Sequence, residues 1–486
     1  MSLDTYLSKA LPEDQHARGA NALESNSEFS LSASERTYGQ QFYLMYQYRL
    51  ATLKERVDKN AMKKWGHGTY KIDGKRVHRK EKILDIASGE ICWVSGTIFC
   101  DLHNKLKILH DVETGADDTL PELPTTYLSE EESNSNSAPL VMLEDESGRA
   151  ILHNDDFLKE NVLVTGCIVA VLGIEIQAGV FEIMDVIYPT VSPQRPLAST
   201  QSESNKIAFV SGLNISTEAD HSLKLELLKQ YLCGELGTEE DISKAQSISR
   251  LIIAGDSISP AQSLTNSSIS ATNFGSKNVS KLDVENIKIF DYFLSELLPS
   301  VSITMLPGAN DPGEVCLPQQ PLHRAFLQAN RKYAGSSSLQ TVTNPCWLED
   351  KSTGFTILGT SGQNIDDIKR YLHKREGGIK EEDITNSAKL LECCIKWQNI
   401  APTAPDTLYC YPFNNYDPFT LSKETPHLLF AGNQDKFSSE TIHLESGDVS
   451  DPKVEVSLIS IPKFSESGQL VIFDTITREC EVITFD

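Results

Sequence analysis

The chain has 486 residues, 40% of them apolar, so it is long enough for two cores with linkers between them. Its 44 basic against 68 acidic side chains give a formal charge of −24, which repels polyphosphate over most of the surface and disfavours stand-alone nucleic-acid binding. The ten cysteines (Cys92, Cys100, Cys167, Cys233, Cys316, Cys346, Cys393, Cys394, Cys410 and Cys480) form no Cys-x-x-Cys pair and lie mostly in apolar runs, as reduced thiols in a reducing compartment do.

The opening MSLDTYLSKALPEDQ lacks a basic stretch ahead of a long apolar core. The longest uncharged apolar stretch, 162–174, is well short of the ~20 residues a spanning helix requires, so a soluble intracellular protein without membrane contact is expected. Residues 1–35 are polar and aperiodic and read as a flexible tail. Residues 36–83 follow as a helix and a basic segment. Tyr38, Phe42, Met45, Tyr46, Leu50, Leu53 and Val57 recur at three- and four-residue spacing, one apolar stripe that packs on its own domain. Residues 49–82 carry twelve Lys or Arg against four acids. Lys63-Lys64 and the cluster 75–80 have the spacing of a two-part nuclear import signal; a solvated basic face and a nucleic-acid contact are the other readings.

Residues 84–200 read as β structure. ICWVSGTIFCDL, LVMLEDESGRAIL, NVLVTGCIVAVLGIEI and GVFEIMDVIYP are rich in β-branched and aromatic residues, and Asp145-Glu146-Ser147-Gly148 and Gln177-Ala178-Gly179 mark hairpin turns. About five antiparallel strands in a hundred residues fit a small barrel of the OB type, interrupted by an acidic, Ser-rich loop at 111–137. After a Pro/Ser linker the style changes: KIAFVSGL, a helix at 221–233, SRLIIAGDSIS, a helix at 282–298 and VSITMLPGANDP alternate strand with helix, the grammar of an α/β layer fold over 201–486. The Ser/Asn-rich stretch at about 258–281 reads as a disordered insertion.

The ends of these strands invite comparison with a catalytic site. Gly255-Asp256 follows the second strand, Gly308-Ala309-Asn310-Asp311 the third, Thr360-Ser361-Gly362 a later one, and Gly432-Asn433-Gln434-Asp435 the last. In order and spacing they resemble the ligand motifs of calcineurin-like phosphoesterases, which place Asp-x-His, Gly-Asp, Gly-Asn-His-Asp and later histidines around two metal ions. Ser211-Gly212-Leu213 lacks the first Asp and His, Ala309 stands in the place of the ligand Asn, Asn310 in that of the proton-donating His, and the later histidines are absent. Asp256 matches a bridging ligand. The resemblance therefore implies vestigial positions, Asp256, Gly308, Asn310, Asp311 and Asn433, with no metal, no cofactor and no catalysis. Gly308 and Gly432 are expected to let the backbone turn, and Asp256 and Asp311 to tie loops. No Gly-x-Ser-x-Gly elbow or phosphate-binding Gly-Lys-Ser/Thr loop is present, and His323 and His427 stand near no nucleophile.

A barrel followed by a disabled phosphoesterase unit resembles the B-subunits of the replicative DNA polymerases. LEDESGRAIL, PGANDP with LPQQPLH, TNPCW, SGQNIDDI and WQNIAPTAPDTLYCYPF are similar, from about residue 36 onward, to the small-subunit family of DNA polymerase delta in its fungal form. The fold implied is α/β plus all-β: an OB-type barrel, then a calcineurin-like phosphoesterase α/β sandwich lacking metal ligands. The implied role is a nuclear, non-catalytic scaffold in DNA replication and repair. It would join the cysteine-rich C-terminal module of the catalytic subunit to a third subunit that reaches the sliding clamp, be shared with the translesion polymerase zeta, and meet DNA only indirectly. Trp397, Tyr409, Tyr411 and Phe413 are candidate partner anchors, or else packing residues that stiffen their loop. A single-stranded-DNA-binding OB protein and an active metallophosphoesterase are the rival readings.

Overall fold

The computed structural model describes residues 23–32, 36–66, 70–105, 124–128, 140–198, 205–217, 222–260, 283–372, 386–446 and 453–486, with Arg18 and Ser34 and apart from single positions inside these spans. Chain order begins with strand β1 (Leu23–Ser25), then helix α1 (Tyr43–Trp65). Met45, Arg49, Leu53, Val57, Ala61 and Trp65, four apart, form the buried face of α1, which Gly66 ends by an N–H bond to Met62 O. The helix thus starts five residues later than the stripe beginning at Tyr38, which is exposed.

Two short strands, β2 (Lys71–Ile72) and β3 (Lys75–Arg76), make a hairpin. The barrel follows: β4 (His78–Arg79), β5 (Ile91–Asp101), β6 (Leu140–Glu144), β7 (Arg149–His153), the short helix α2 (Asp155–Glu160), β8 (Ile168–Gln177) and β9 (Val180–Ile187). Its order is β4-β5-β6-β7-β9-β8, closed by β5 pairing β8 from Ile91↔Ile174 to Thr97↔Ile168. The long β5 is shared between its neighbours, with β8 pairing Ile91–Thr97 and β6 pairing Thr97–Asp101, which closes the barrel around it. Leu53, Val57, Ala61 and Trp65 of α1 pack against Ile91, Trp93, Ile168 and Leu172, so the helix belongs to the barrel.

The second unit contains β10 (Lys206–Val210), α3 (Ser222–Cys233), α4 (Glu239–Ser247), β11 (Ile248–Ala254), α5 (Val284–Leu297), β12 (Ser302–Leu306), β13 (Leu339–Thr341), β14 (Cys346–Asp350) and β15 (Phe355–Thr360). Then come α6 (Gln363–Tyr371), α7 (Ser387–Trp397), β16 (Leu428–Gln434), β17 (Ser438–Glu445), β18 (Lys453–Pro462), α8 (Phe464–Ser467), β19 (Gln469–Asp474) and β20 (Cys480–Thr484). They make two six-stranded sheets, β13-β12-β11-β10-β19-β20 and β1-β14-β15-β16-β18-β17. β10 to β13 are parallel; β11 is buried at every position, as a strand covered on both faces must be. Between the sheets Phe209, Ile252 and Leu306 meet Ile357, Phe430 and Ile459, with the Phe209 and Phe430 rings 5.0 Å apart. Leu228 and Leu232 of α3 and Phe290 and Leu294 of α5 cover the first sheet.

The other helix layer carries the inter-domain contact. Ile365, Ile368, Leu391 and Ile395 of α6 and α7 share one apolar cluster with Leu358 and Leu429 of the sandwich and with Val94, Val164 and Cys167 of the barrel. The two units are therefore joined through a common core. The stretch after β9, expected as a linker, is also tied down over 191–195 by bridges Val191↔Ser446 and Gln194↔Thr425 and by Arg195 pairing Glu349.

The expectation of a flexible tail over 1–35 is corrected for its described part. Leu23–Ser25 adds an antiparallel strand to β14, Gln340 Nε2 donates to Leu23 O at 3.0 Å, and Phe29 is buried beside Phe419. Composition alone misses this because the hydrogen bonds and the apolar contacts that offset the ordering entropy come from residues some 300 positions away. Of the loop at 111–137, only residues 124–128 are described, and there Tyr127 and Leu128 are buried. The insertion at about 258–281 lies outside the described residues except for 258–260, where Ile258 is buried.

Candidate functional site

The carboxyl ends of β10, β11, β12, β15 and β16 converge, as ends of neighbouring parallel strands do. Gly212 N donates to Gly255 O at 2.9 Å, and Asn433 N to Ser211 Oγ at 2.8 Å. Asn433 Nδ2 reaches across both sheets, to Ser361 O at 2.9 Å and Ala254 O at 3.3 Å. Asp256 and Asn433 hold left-handed backbones, φ 52° and 56°, which cost non-glycine residues free energy and gather at present or former functional sites.

The four sequence-predicted positions Asp256, Gly308, Asn310 and Asp311 come together with Asn433 nearby. Asn310 N donates to Asp256 Oδ1 at 2.9 Å. Asp311 accepts from Ser257 N (2.8 Å) and Ile258 N (3.1 Å) on Oδ1 and from Gly308 N (2.8 Å) on Oδ2, so one carboxylate ties the loop after β12 to the loop after β11. Burial raises the Asp256 carboxyl above its usual range. Burial and the charge of Asp256 push Asp311 up to about 7, against three N–H donors that favour the ionised form.

The reason expected for Gly308 and Gly432 needs correcting. Neither has a positive φ; what each position requires is close approach. A Cβ on Gly308 would lie 2.2 Å from Asp256 N, and one on Gly432 would lie 2.2 Å from Ala254 O. The space at the strand ends is thus filled by backbone.

Beside it stands a network of neutral amides that sequence reasoning did not single out. Asn344 Nδ2 donates to Gln319 Oε1 (2.7 Å) and Ser361 Oγ (2.6 Å), Ser361 N donates to Asn344 Oδ1 (2.9 Å), and Gln319 Nε2 donates to Gly308 O (3.0 Å). Their signal was a row of amides, in LPQQP, TNPCW and SGQN, placed in apolar surroundings. Among the described residues no three His, Cys, Asp or Glu side chains are placed to hold a metal ion.

The second polar centre is the seam between barrel and sandwich, and it is built from WQNIAPTAPDTLYCYPF and α1. Arg49 and Asp417, 1% and 2% exposed, pair through Nε and Oδ2 at 2.7 Å. Arg49 Nη1 and Nη2 donate to Pro402 O (2.8 Å) and Ala404 O (2.9 Å), so each of the three guanidinium nitrogens has a partner on the sandwich side. About two turns further on, Arg56 donates to Thr190 O at 2.9 Å, Leu421 O at 3.1 Å and Gln398 Oε1 at 2.5 Å. Tyr127 Oη, from the barrel loop, donates to Asp367 Oδ1 at 2.5 Å, and Thr407 Oγ1 donates to Asp367 Oδ2 at 2.7 Å.

Trp397 and Phe413 lie in this seam, 1% and 2% exposed, and as partner anchors they are corrected to core residues. A Pro-rich loop buries its aromatics when it is the filling between two domains rather than an outer rim. Tyr409 and Tyr411 are half-buried. Tyr411 Oη accepts from Thr37 N at 2.9 Å, and its ring meets those of the exposed Tyr38 and the buried Phe413 edge-on.

Two family models match the two units: the OB-fold domain of the DNA polymerase delta subunit over residues 41–186, and the B subunit of DNA polymerase alpha/epsilon over 207–439. A barrel of this kind followed by this α/β unit defines the B-subunit class of DNA polymerases. Within that class, the chain is 36% identical to the DNA polymerase delta small subunit of Saccharomyces cerevisiae, across 96% of this chain and 93% of that one. It is 34% identical to the small subunit of Arabidopsis thaliana (83% and 84% covered) and 30% identical to DNA polymerase delta subunit 2 of Drosophila melanogaster (92% and 94%). The chain belongs to the family of DNA polymerase delta small subunits.

Proposed function

We propose that the chain is a non-catalytic accessory subunit of a nuclear DNA polymerase delta complex, acting as a scaffold in DNA replication and repair. Family membership supports the complex; the collapsed strand-end centre supports the absence of catalysis. The sandwich is a calcineurin-like phosphoesterase frame that has lost its metal ligands. A two-metal centre needs several charged ligands around ions about 3.5–4 Å apart. Here the carboxylates are Asp256 and Asp311, and both Asp311 oxygens already accept backbone N–H groups. The Asn433 amide is held by two carbonyls, and the Gly308 backbone lies against Asp256 where coordinated ions would need room. These residues do not fit a metal pair.

The scaffold joins the cysteine-rich C-terminal module of the catalytic subunit to a third, clamp-reaching subunit, and also serves the polymerase zeta catalytic subunit. A connector of this kind has to be rigid between its binding surfaces, and the buried Arg49–Asp417 seam supports that requirement. Trp397 and Phe413 act from within by fixing the loop, while Tyr409 and Tyr411 remain accessible enough to touch a partner. The test is affinity capture of the tagged full chain from its own cell extract. A polymerase catalytic polypeptide and a further subunit are expected in near-stoichiometric yield; recovery of the chain alone would refute the proposal.

A further inference from the structure

Of the twelve cations of the segment 49–82, Lys54 is half-buried on α1 without an ion pair among the described residues, and the other eleven divide into two groups once their neighbours are known. Arg49 is buried in the seam and Arg56 is half-buried there. Lys59 pairs Glu55, Lys63 approaches Glu445 at 3.6 Å, Lys64 pairs Asp185 at 2.5 Å, Arg79 pairs Asp58 at 2.9 Å, Lys80 pairs Glu90 at 2.6 Å and Lys82 pairs Glu146 at 3.2 Å. Lys71, Lys75 and Arg76 are exposed and meet no carboxylate among the described residues. They sit on the β2–β3 hairpin, where Gly74 (φ 78°) supplies the turn and the sequence adds one acid, Asp73.

The hairpin is anchored on one side. Tyr70, Ile72 and Val77 pack on the cluster that contains Trp65 and Trp93, and Arg79 lies over the Trp93 ring at 5.5 Å. In the register Lys71↔Arg76 and Ile72↔Lys75, Lys71 and Arg76 share the face opposite the anchored Ile72, while Lys75 is exposed next to the Gly74 turn, so three unmatched charges stand on a pinned support. In a chain of net charge −24, such a local excess is where a polyanion meets least repulsion.

A linear import signal fits these residues less well. β4 pairs with β5 at His78↔Cys92 and Arg79↔Trp93, and Lys80 N bonds Trp93 O at 3.0 Å, so the basic cluster would have to leave the barrel to be read as an extended chain. Base recognition fits less well too: the neighbouring tryptophans, Trp65 and Trp93, are 1% exposed and offer no stacking face. What the hairpin can meet is phosphate.

We propose that the β2–β3 hairpin, through Lys71, Lys75 and Arg76, contacts the phosphate backbone of duplex DNA without reading its sequence. This goes beyond the scaffold reading and does not rest on it, since it can be tested on the chain alone. The experiment is fluorescence anisotropy of the full chain on a labelled duplex, from about 50 to 200 mM KCl, with the triple variant Lys71→Glu/Lys75→Glu/Arg76→Glu beside it. All three side chains are exposed, so the thermal melt of the variant should match that of the wild type. The variant is expected to bind at least about tenfold more weakly at the lower salt, with a salt slope shallower by about 2–3, one unit for each phosphate that the hairpin no longer reaches. Equal affinity and slope in the two proteins, or no binding by the wild type at low salt, would overturn the proposal. Loss of nuclear accumulation by a fluorescent fusion of the variant, with DNA binding unchanged, would overturn it in favour of import.

Discussion

The strand-end centre and the barrel–sandwich seam are both buried and polar, yet they use charge in opposite ways. At the seam a full cation, Arg49, faces a full anion, Asp417, and its remaining donors find carbonyls. At the strand ends two carboxylates, Asp256 and Asp311, face each other with no cation in hydrogen-bond reach among the described residues, and amides, serine hydroxyls and backbone stand around them. A working metallophosphoesterase would show the reverse: charge concentrated where the substrate binds. In this chain a buried ion pair ties the barrel to the sandwich, and the two carboxylates at the strand ends are held by backbone N–H groups.

The seam should be the more costly place to cut. Arg49→Ala leaves Asp417 as an uncompensated buried charge and frees two carbonyls, and is expected to lower stability by about 3–5 kcal/mol. Calorimetry should show a melting transition several degrees lower or divided in two, because the shared apolar cluster also loses its register. A shift of less than about 1 kcal/mol would mean that the seam is not what joins the domains.

A smaller effect is expected at the strand ends. Asp311→Ala strands the N–H groups of Gly308, Ser257 and Ile258 and should cost about 2–3 kcal/mol by denaturant titration, without dividing the transition. A larger loss there than at Arg49 would reverse the comparison between the two regions.

The sequence carried the parts of this account that depend on local pattern. KIAFV, SRLIIA and SITML are continuous apolar runs, which is how strands covered on both faces read, and the alternation with helices at 222–233 and 284–297 follows directly. The barrel strands β5, β8 and β9 were equally legible. β1 was not, since three residues carry no period and its partner β14 lies far along the chain. The strand-end cluster was legible from order and spacing: Asp256, Asn310 and Asp311 do meet. The seam was hidden, although it had a signal. Arg49 occupies the same four-residue series as Met45, Leu53 and Val57, so a charge stood on the apolar face of a helix and required a buried partner. That the partner is Asp417 could not be read, because 368 residues separate the two. Trp397 and Phe413 were visible as aromatics, but whether an aromatic in a Pro-rich stretch faces solvent or a second domain depends on where that domain sits.

The central claim is that the strand-end centre cannot hold the metal ions that phosphoester chemistry would need. Isothermal titration of Mn²⁺ into the full-length chain, with hydrolysis of a nitrophenyl phosphodiester followed in the same samples, tests it most directly. The account predicts no stoichiometric binding and no turnover above the uncatalysed rate. Stoichiometric Mn²⁺ binding with turnover, both abolished by Asp256→Ala, would contradict it.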